Sequence, residues 1–362
     1  MRDAKRHRPT APLERLFPKG LLEAAGVTRI ARVTGLDRTQ VEVACAVRPQ
    51  GHILQVSQGK GDTFASAALS AGFEAVELWA AENPDSERFR WSTYEALSRE
   101  GNVWGPLELA MSNEPGLWSP RLLIPWVRAS RLGPKGEVWV PARAVYCPNP
   151  SHIDAGPQVT RWTSNGLGAG STRSRALRHA LLELFERHVL SKVLPEGWTE
   201  RAAKGRRVRA TGKLMDSLEA QGFEVAAFDL SLPNAPPVAG VLLRSEDRGA
   251  QALTAGYACR LKFGDAVHSA VLEAAQSRLT DIHGAREDVA HQGAQANDAE
   301  PFFRMPARPG APRARDWKPS TPAQWAARAG LRVACVDLVP RSKRYAVVKA
   351  LSCDAQASEL LA

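Results

Sequence analysis

Gly59–Leu78 reads GKGDTFASAALSAGFEAVEL, and Gly170–Arg187 reads GSTRSRALRHALLELFER. Counted back from the first acid of each, the two stretches align without a gap. Glu74 is preceded by Ala71, Ala67, Thr63 and Gly61 at three, seven, eleven and thirteen residues. Glu183 is preceded by Ala180, Ala176, Thr172 and Gly170 at the same four distances. A second acid follows three residues later in each, Glu77 and Glu186. A third stretch, Gly264–Leu279 (GDAVHSAVLEAAQSRL), places Ala270 and Ala266 before Glu273 and has Gln276 where the second acid would stand.

On a helix, positions 0, +3, −3 and −7 lie along one stripe. Alanines keep that stripe narrow, so another backbone can approach closely, and the acids sit together at its end. A merely solvated acidic face has no use for matched Gly, Thr and Ala, so the repetition points to a shared task. Two carboxylates about 4 Å apart repel by roughly 4 kcal/mol at an effective dielectric near 20. If the helices are related by pseudo-symmetry, the four acids converge and need cations. A set of hard oxygen donors favours Mg²⁺, which in proteins usually also holds phosphate.

The remaining chain reads as strand pairs feeding such helices. Alternation in VTGLDRTQVEVACAVRP and HILQVSQGK leads into a first helix near 64–81. Short strands between Trp118 and Cys147 precede a second helix over 174–193, and a helix near 213–221 follows. FEVAAFDL, VAGVLLRS and ALTAGYACRLKF precede the third long helix, 265–280. A helix over 322–329 and the strands RVACVDLV and RYAVVKAL complete the pattern. The fold expected is α+β, with mixed sheets flanked by helices and internal pseudo-symmetric repeats. Residues 1–18, rich in basic residues and proline, read as a flexible arm, and 19–362 as a single domain with a mobile loop at about 291–319.

With 48 Lys and Arg against 38 Asp and Glu the net charge is +10, which suits acidic partners. The basic residues are spread out, apart from RAAKGRRVR at 201–209, and no nucleic-acid-binding signature accompanies them. No apolar run is long enough for a membrane span. Five scattered cysteines without a CxxC pair argue against a zinc ribbon or disulfide framework and for a cytoplasmic location.

The glycine stretch Ser164–Thr172 (SNGLGAGST) runs into the second helix, where backbone N–H groups and the helix N-terminus suit phosphate. Its spacing is not the dinucleotide GxGxxG, and Gly59–Gly61 is not a Walker loop. Arg187, Arg278 and Arg286 lie near the acids in sequence and are natural phosphate donors. No nucleophile stands out.

GKGDT…SAGFEAVE, SNGLGAG…HALLELFER and AVLEAAQSRLTDIHGARED, in that order, resemble the YcaO family. The resemblance implies binding of ATP and Mg²⁺ between the helices and O-phosphorylation of a peptide backbone amide. It implies Glu74, Glu77, Glu183 and Glu186 as Mg²⁺ ligands. Lys60, Ser70, Glu74, Ser164, Ser171, Gln276 and Arg278 take the nucleotide-contacting places, and Arg187, Glu273 and Arg286 the catalytic ones. The chain departs from the family pattern at Leu78, Ser171 and Arg175. The stretch CDAQASELLA also lacks the proline-rich tail of azoline-forming members. The expected activity is therefore thioamide formation on a ribosomally made precursor peptide, with a separate TfuA-type partner and a homodimeric state. Azoline formation with a leader-binding partner, and a non-catalytic accessory role, are the alternatives.

Overall fold

The computed structural model describes residues 13–109, 118–134, 136–147, 157, 159–245, 253–284, 299–308, 317 and 321–356. Among these residues the strands are β1 (Arg29–Arg32), β2 (Glu42–Val47), β3 (Val56–Gly61), β4 (Arg90–Ser92), β5 (Ile124–Leu132), β6 (Glu137–Pro141), β7 (Leu167–Gly170), β8 (Arg207–Val208), β9 (Phe223–Asp229), β10 (Val238–Ser245), β11 (Leu253–Cys259), β12 (Val333–Asp337) and β13 (Ala346–Ser352). They form an antiparallel sheet β1–β2–β3, a second in the order β11–β10–β9–β8, and a third in the order β4–β5–β12–β13–β7, with β6 also on β5. The three long helices are α1 (Phe64–Glu82), α2 (Arg173–Val193) and α3 (Phe263–His283). This is the expected α+β architecture.

The repeated residues explain how each strand turns into its helix. Thr63 and Thr172 are the N-caps of α1 and α2: their hydroxyls accept from Ser66 N (3.2 Å) and Arg175 N (3.3 Å). Each satisfies a backbone donor that a first helical turn leaves open. α3 begins after Lys262 with no side-chain cap. Ala67, Ala71, Ala176, Ala180, Ala266 and Ala270 are fully buried. Strand glycines lie directly against this stripe. A Cβ on Gly59 would collide with Ala67 O and Ala71 N, and one on Gly168 with Ala176 O and Ala180 N. Gly256 meets α3 about one turn further along, at Ala270 O and Ala274 N.

Such contact between backbones leaves no room for a methyl group. Gly168→Ala is expected to destabilise the protein by about 3 kcal/mol, the upper end of overpacking costs. A thermal melt checks this, and an unchanged midpoint would contradict the packing described.

Each long helix lies on its own strands and reaches the next unit. α1 rests on β2 and β3 and touches β7; α2 rests on β7 and β13 and touches β11; α3 rests on β10 and β11 and touches β3. The three units thus close a circuit, and the acid-bearing stripes face its centre.

Three sequence readings are adjusted. The stretch EVWVPARAVYC is not strand throughout: Pro141 ends β6 and Ala142–Val145 is a helical turn. Proline has no N–H with which to continue a ladder. Within the loop read at 291–319, Glu300–Arg304 is helical with Phe302 and Phe303 buried. Of the arm read at 1–18, residues 1–12 lie outside the described residues, while Phe17 is buried with its ring 5.6 Å from that of Phe73.

Candidate active site

The circuit is closed by hydrogen bonds from each strand to the acid of the preceding helix. Glu77 of α1 accepts from Ala169 N on β7 at 2.6 Å, and Glu186 of α2 accepts from Cys259 N at the end of β11 at 2.9 Å. Ala169 and Cys259 each stand fourteen residues ahead of the first acid of their own unit, and Lys60 on β3 has the same position. At this third corner the pattern changes. Gln276 of α3 replaces the acid, and its Oε1 is buried with no hydrogen-bond partner among the described residues. Lys60 sends its Nζ to Glu273 at 2.7 Å. Glu183 accepts from Gly166 N of the glycine stretch at 3.2 Å.

The cluster carries more negative charge than the protein neutralises. Burial raises Glu77 to about 7. Burial and then the charge of Glu273 raise Glu186 to about 7. Glu183 is also raised, again by burial first. Burial pushes Glu273 in the same direction, but Lys60 and Arg187 outweigh it, so that carboxyl lies below its ordinary value. Arg187 has its Nε 4.0 Å from Glu186, and the surrounding carboxylates hold it firmly charged despite burial. His179, whose side chain is 56% exposed, has its Nε2 3.9 Å from Glu77, and desolvation by the surrounding protein lowers its pKa.

Buried carboxylates raised by desolvation are poorly neutralised by protein alone. Their oxygen donors fit Mg²⁺, and the unpaired Gln276 oxygen offers another hard contact. Among the described residues, no group of three or more His, Cys, Asp or Glu is close enough to hold a metal by itself.

The structure brings Lys60, Glu77, Glu183, Glu186, Arg187, Glu273 and Gln276 into this circuit. Glu74 is half-buried one turn before Glu77, and Ser70 is exposed one turn earlier. Ser164 is exposed in the glycine stretch; Ser171, also exposed, accepts from Arg175 at 3.4 Å. Arg278 is turned to Asp37 at 3.1 Å, with its guanidinium 5.3 Å from the Phe223 ring centre. This ion pair accounts for its burial. Arg286 lies outside the described residues. The sequence reading missed Lys349 on β13, although a lysine inside the apolar run AVVKAL was visible. It also missed the backbone donors Ala169 and Cys259, which only the neighbouring unit brings to the acids. Among the described residues, no helix is long and apolar enough to cross a membrane.

A family model described as YcaO cyclodehydratase, ATP- and Mg²⁺-binding, matches residues 58–355. An uncharacterised protein of Methanothermobacter thermautotrophicus is 33% identical over 297 residues, covering 78% of this chain and 72% of the relative. An uncharacterised protein encoded in the tfuA 3′ region of Rhizobium leguminosarum bv. trifolii is 30% identical over 276 residues. That match covers 73% of this chain and 64% of the relative, so the chain spans just under two thirds of its length. The structure of YcaO from Methanopyrus kandleri bound with AMPPCP and Mg²⁺ superposes with a TM-score of 0.72 at 24% identity, covering 97% of this chain and 91% of that one. At that identity the likeness is one of fold.

Proposed function

Because the chain belongs to the YcaO cyclodehydratase family, whose members bind ATP and Mg²⁺, we propose that it activates a backbone amide of a ribosomally made peptide at the expense of ATP. The observation carrying this reading is that Glu77, Glu183, Glu186 and Glu273, from three helices, lie near enough to raise one another's pKa values, with Lys60, Arg187 and the glycine stretch bonded or charged beside them.

In this reading the amide oxygen bonds to the γ-phosphorus of the substrate ATP as the β–γ P–O bond breaks and ADP leaves. A sulfide nucleophile then adds to the amide carbon, and inorganic phosphate carries the oxygen away. Glu74, Glu77, Glu183 and Glu186 would hold Mg²⁺, which when bound neutralises phosphate charge. Arg187 lies among the same carboxylates and is held charged there, so it can donate to an anionic phosphoryl group. Lys60, fixed by Glu273, keeps a cation at the third corner, where Gln276 carries no charge. The N-terminal end of α2 and the preceding glycines offer backbone donors to phosphate. Catalysis in such a site consists mainly of positioning and charge neutralisation.

Thioamide formation with a TfuA-type partner is favoured over other outcomes because a relative is encoded beside tfuA. The second reading is azoline formation with a leader-binding partner, which the family description as cyclodehydratases favours. Precursor mass after incubation with ATP, Mg²⁺, sulfide and partner separates them. Exchange of oxygen for sulfur raises the mass, whereas cyclodehydration removes one water. The thioamide reading expects the increase and is overturned by the loss. We further propose that the enzyme acts as a homodimer in the cytoplasm.

A further inference from the structure

Lys349 is buried, with a relative exposure of 1%, in the middle of β13. Its Nζ donates to two carbonyls of the segment preceding β7, Thr163 O and Asn165 O, each at 2.6 Å. The ammonium also lies 5.6 Å from the centre of the Trp162 ring. Sheet packing does not demand a lysine here. Lys349 is paired with Leu167, sixteen residues ahead of Glu183. The residues sixteen ahead of Glu74 and Glu273 are Gln58 and Tyr257, and their cross-strand partners are Cys45 and Gly240. The other two units thus use small residues at the position where this one buries a cation.

The consequence follows from peptide geometry. A trans peptide is planar, with its C=O and the next residue's N–H pointing in opposite directions. Lys349 draws the carbonyls of Thr163 and Asn165 toward itself, so the N–H groups of Ser164 and Gly166 face away from it. Gly166 N–H is the donor that reaches Glu183. The next peptide is held as well, since Gly166 O accepts from Ala350 N at 2.7 Å. Gly166 has φ +77° and a Cβ there would strike Ala350 O, so only glycine fits this bend.

We propose that Lys349 is a positioning residue for nucleotide binding: it fixes the 163–166 segment so that Gly166 N–H orients Glu183 and Ser164 N–H is presented to phosphate. The inference rests on the proposed ATP site and adds to it the residue that sets the loop before ligand arrives. Burying an ammonium is costly, and its two carbonyl acceptors and nearby aromatic face offset that cost.

The test uses the full chain, with AMPPCP and Mg²⁺ as the probe. Lys349→Met keeps length but removes the donors, whereas Lys349→Gln restores donors without charge. Calorimetry is expected to give at least a thirtyfold weaker Kd for the Met variant and a partial return toward wild type for the Gln variant. A folded Met variant binding with wild-type affinity overturns the proposal. So does a Gln variant no better than Met, because a purely structural role predicts no rescue of affinity. Hydrogen exchange on the wild type provides a test that needs no variant. The amides of Gly166 and Leu167, bonded to Glu183 and to Ser164 O, should exchange slowly without nucleotide, and exchange at the rate of an unstructured peptide overturns the proposal. If the wild type itself shows no Mg²⁺-dependent binding, it is the ATP-site reading that fails, while the exchange result still judges the loop.

Discussion

Glu183→Gln is expected to lower Mg²⁺-dependent affinity for AMPPCP at least about a hundredfold, corresponding to about 2.7 kcal/mol, while making the ligand-free protein more heat-stable at pH values where the Glu183 carboxylate is charged. The two effects have one cause. Glu183, in the middle of α2, is raised by desolvation and has one backbone donor among the described residues, Gly166 N. In the ligand-free protein its charge is a burden, whereas with a divalent cation present the same charge is the attraction. Glutamine preserves the shape and can still accept from Gly166 N, so the loop is not disturbed. Glu74→Gln is expected to weaken binding in the same direction. Calorimetry on each variant, beside a thermal melt without ligand, measures both quantities. Unchanged affinity would remove that residue from the metal site, and a stability loss accompanying weak binding would point to a structural role instead.

The second large effect is a pH dependence of stability that Mg²⁺ reverses. Glu77 and Glu186 rise from 4.5 to about 7 on folding. Between those values the folded state binds more protons than the unfolded state, so their contribution to stability falls as pH rises. A rise of that size amounts to about 3 kcal/mol per carboxylate, fully expressed above pH 7. His179 and His188, both lowered by desolvation, act in the opposite sense up to about pH 6.5 and reduce the net slope. Lys349, lowered from 10.5 to about 8, carries a constant cost below that pH and adds a pH dependence only between the two values, where stability rises with pH. Comparison with Glu77→Gln isolates one acid. Without Mg²⁺, the wild type should lose stability relative to the variant as pH is raised from 5 to 8. With Mg²⁺ and AMPPCP, wild type should be the more stable at pH 8. Parallel melting curves across this range would contradict the buried-charge account.

Much of the fold could be read from the three acid-bearing stretches, because a helix stripe and its cap are local features. Thr63 and Thr172 proved to be caps, and the alanines proved to be the surface against which strand glycines lie. Gly59, Gly168 and Gly256 were in view in the sequence, but their role depends on a strand-to-helix contact that no periodicity shows. The acids themselves were legible for the same local reason. Their partners were not: Ala169 and Cys259 serve Glu77 and Glu186 through the next unit of the circuit. Arg278 illustrates the converse. Its position beside Gln276 suggested phosphate, whereas the fold brings Asp37 and Phe223 to it. Lys349 is remote in sequence from the motifs, and only the pairing of β13 with β7 places it under the glycine stretch.

If the buried carboxylates make an ATP site through Mg²⁺, AMPPCP titrated calorimetrically into the 362-residue chain should bind saturably with Mg²⁺ present. With Mg²⁺ chelated, binding should be at least about a hundredfold weaker. Equal affinity under both conditions, or no binding to the folded protein, would contradict that assignment.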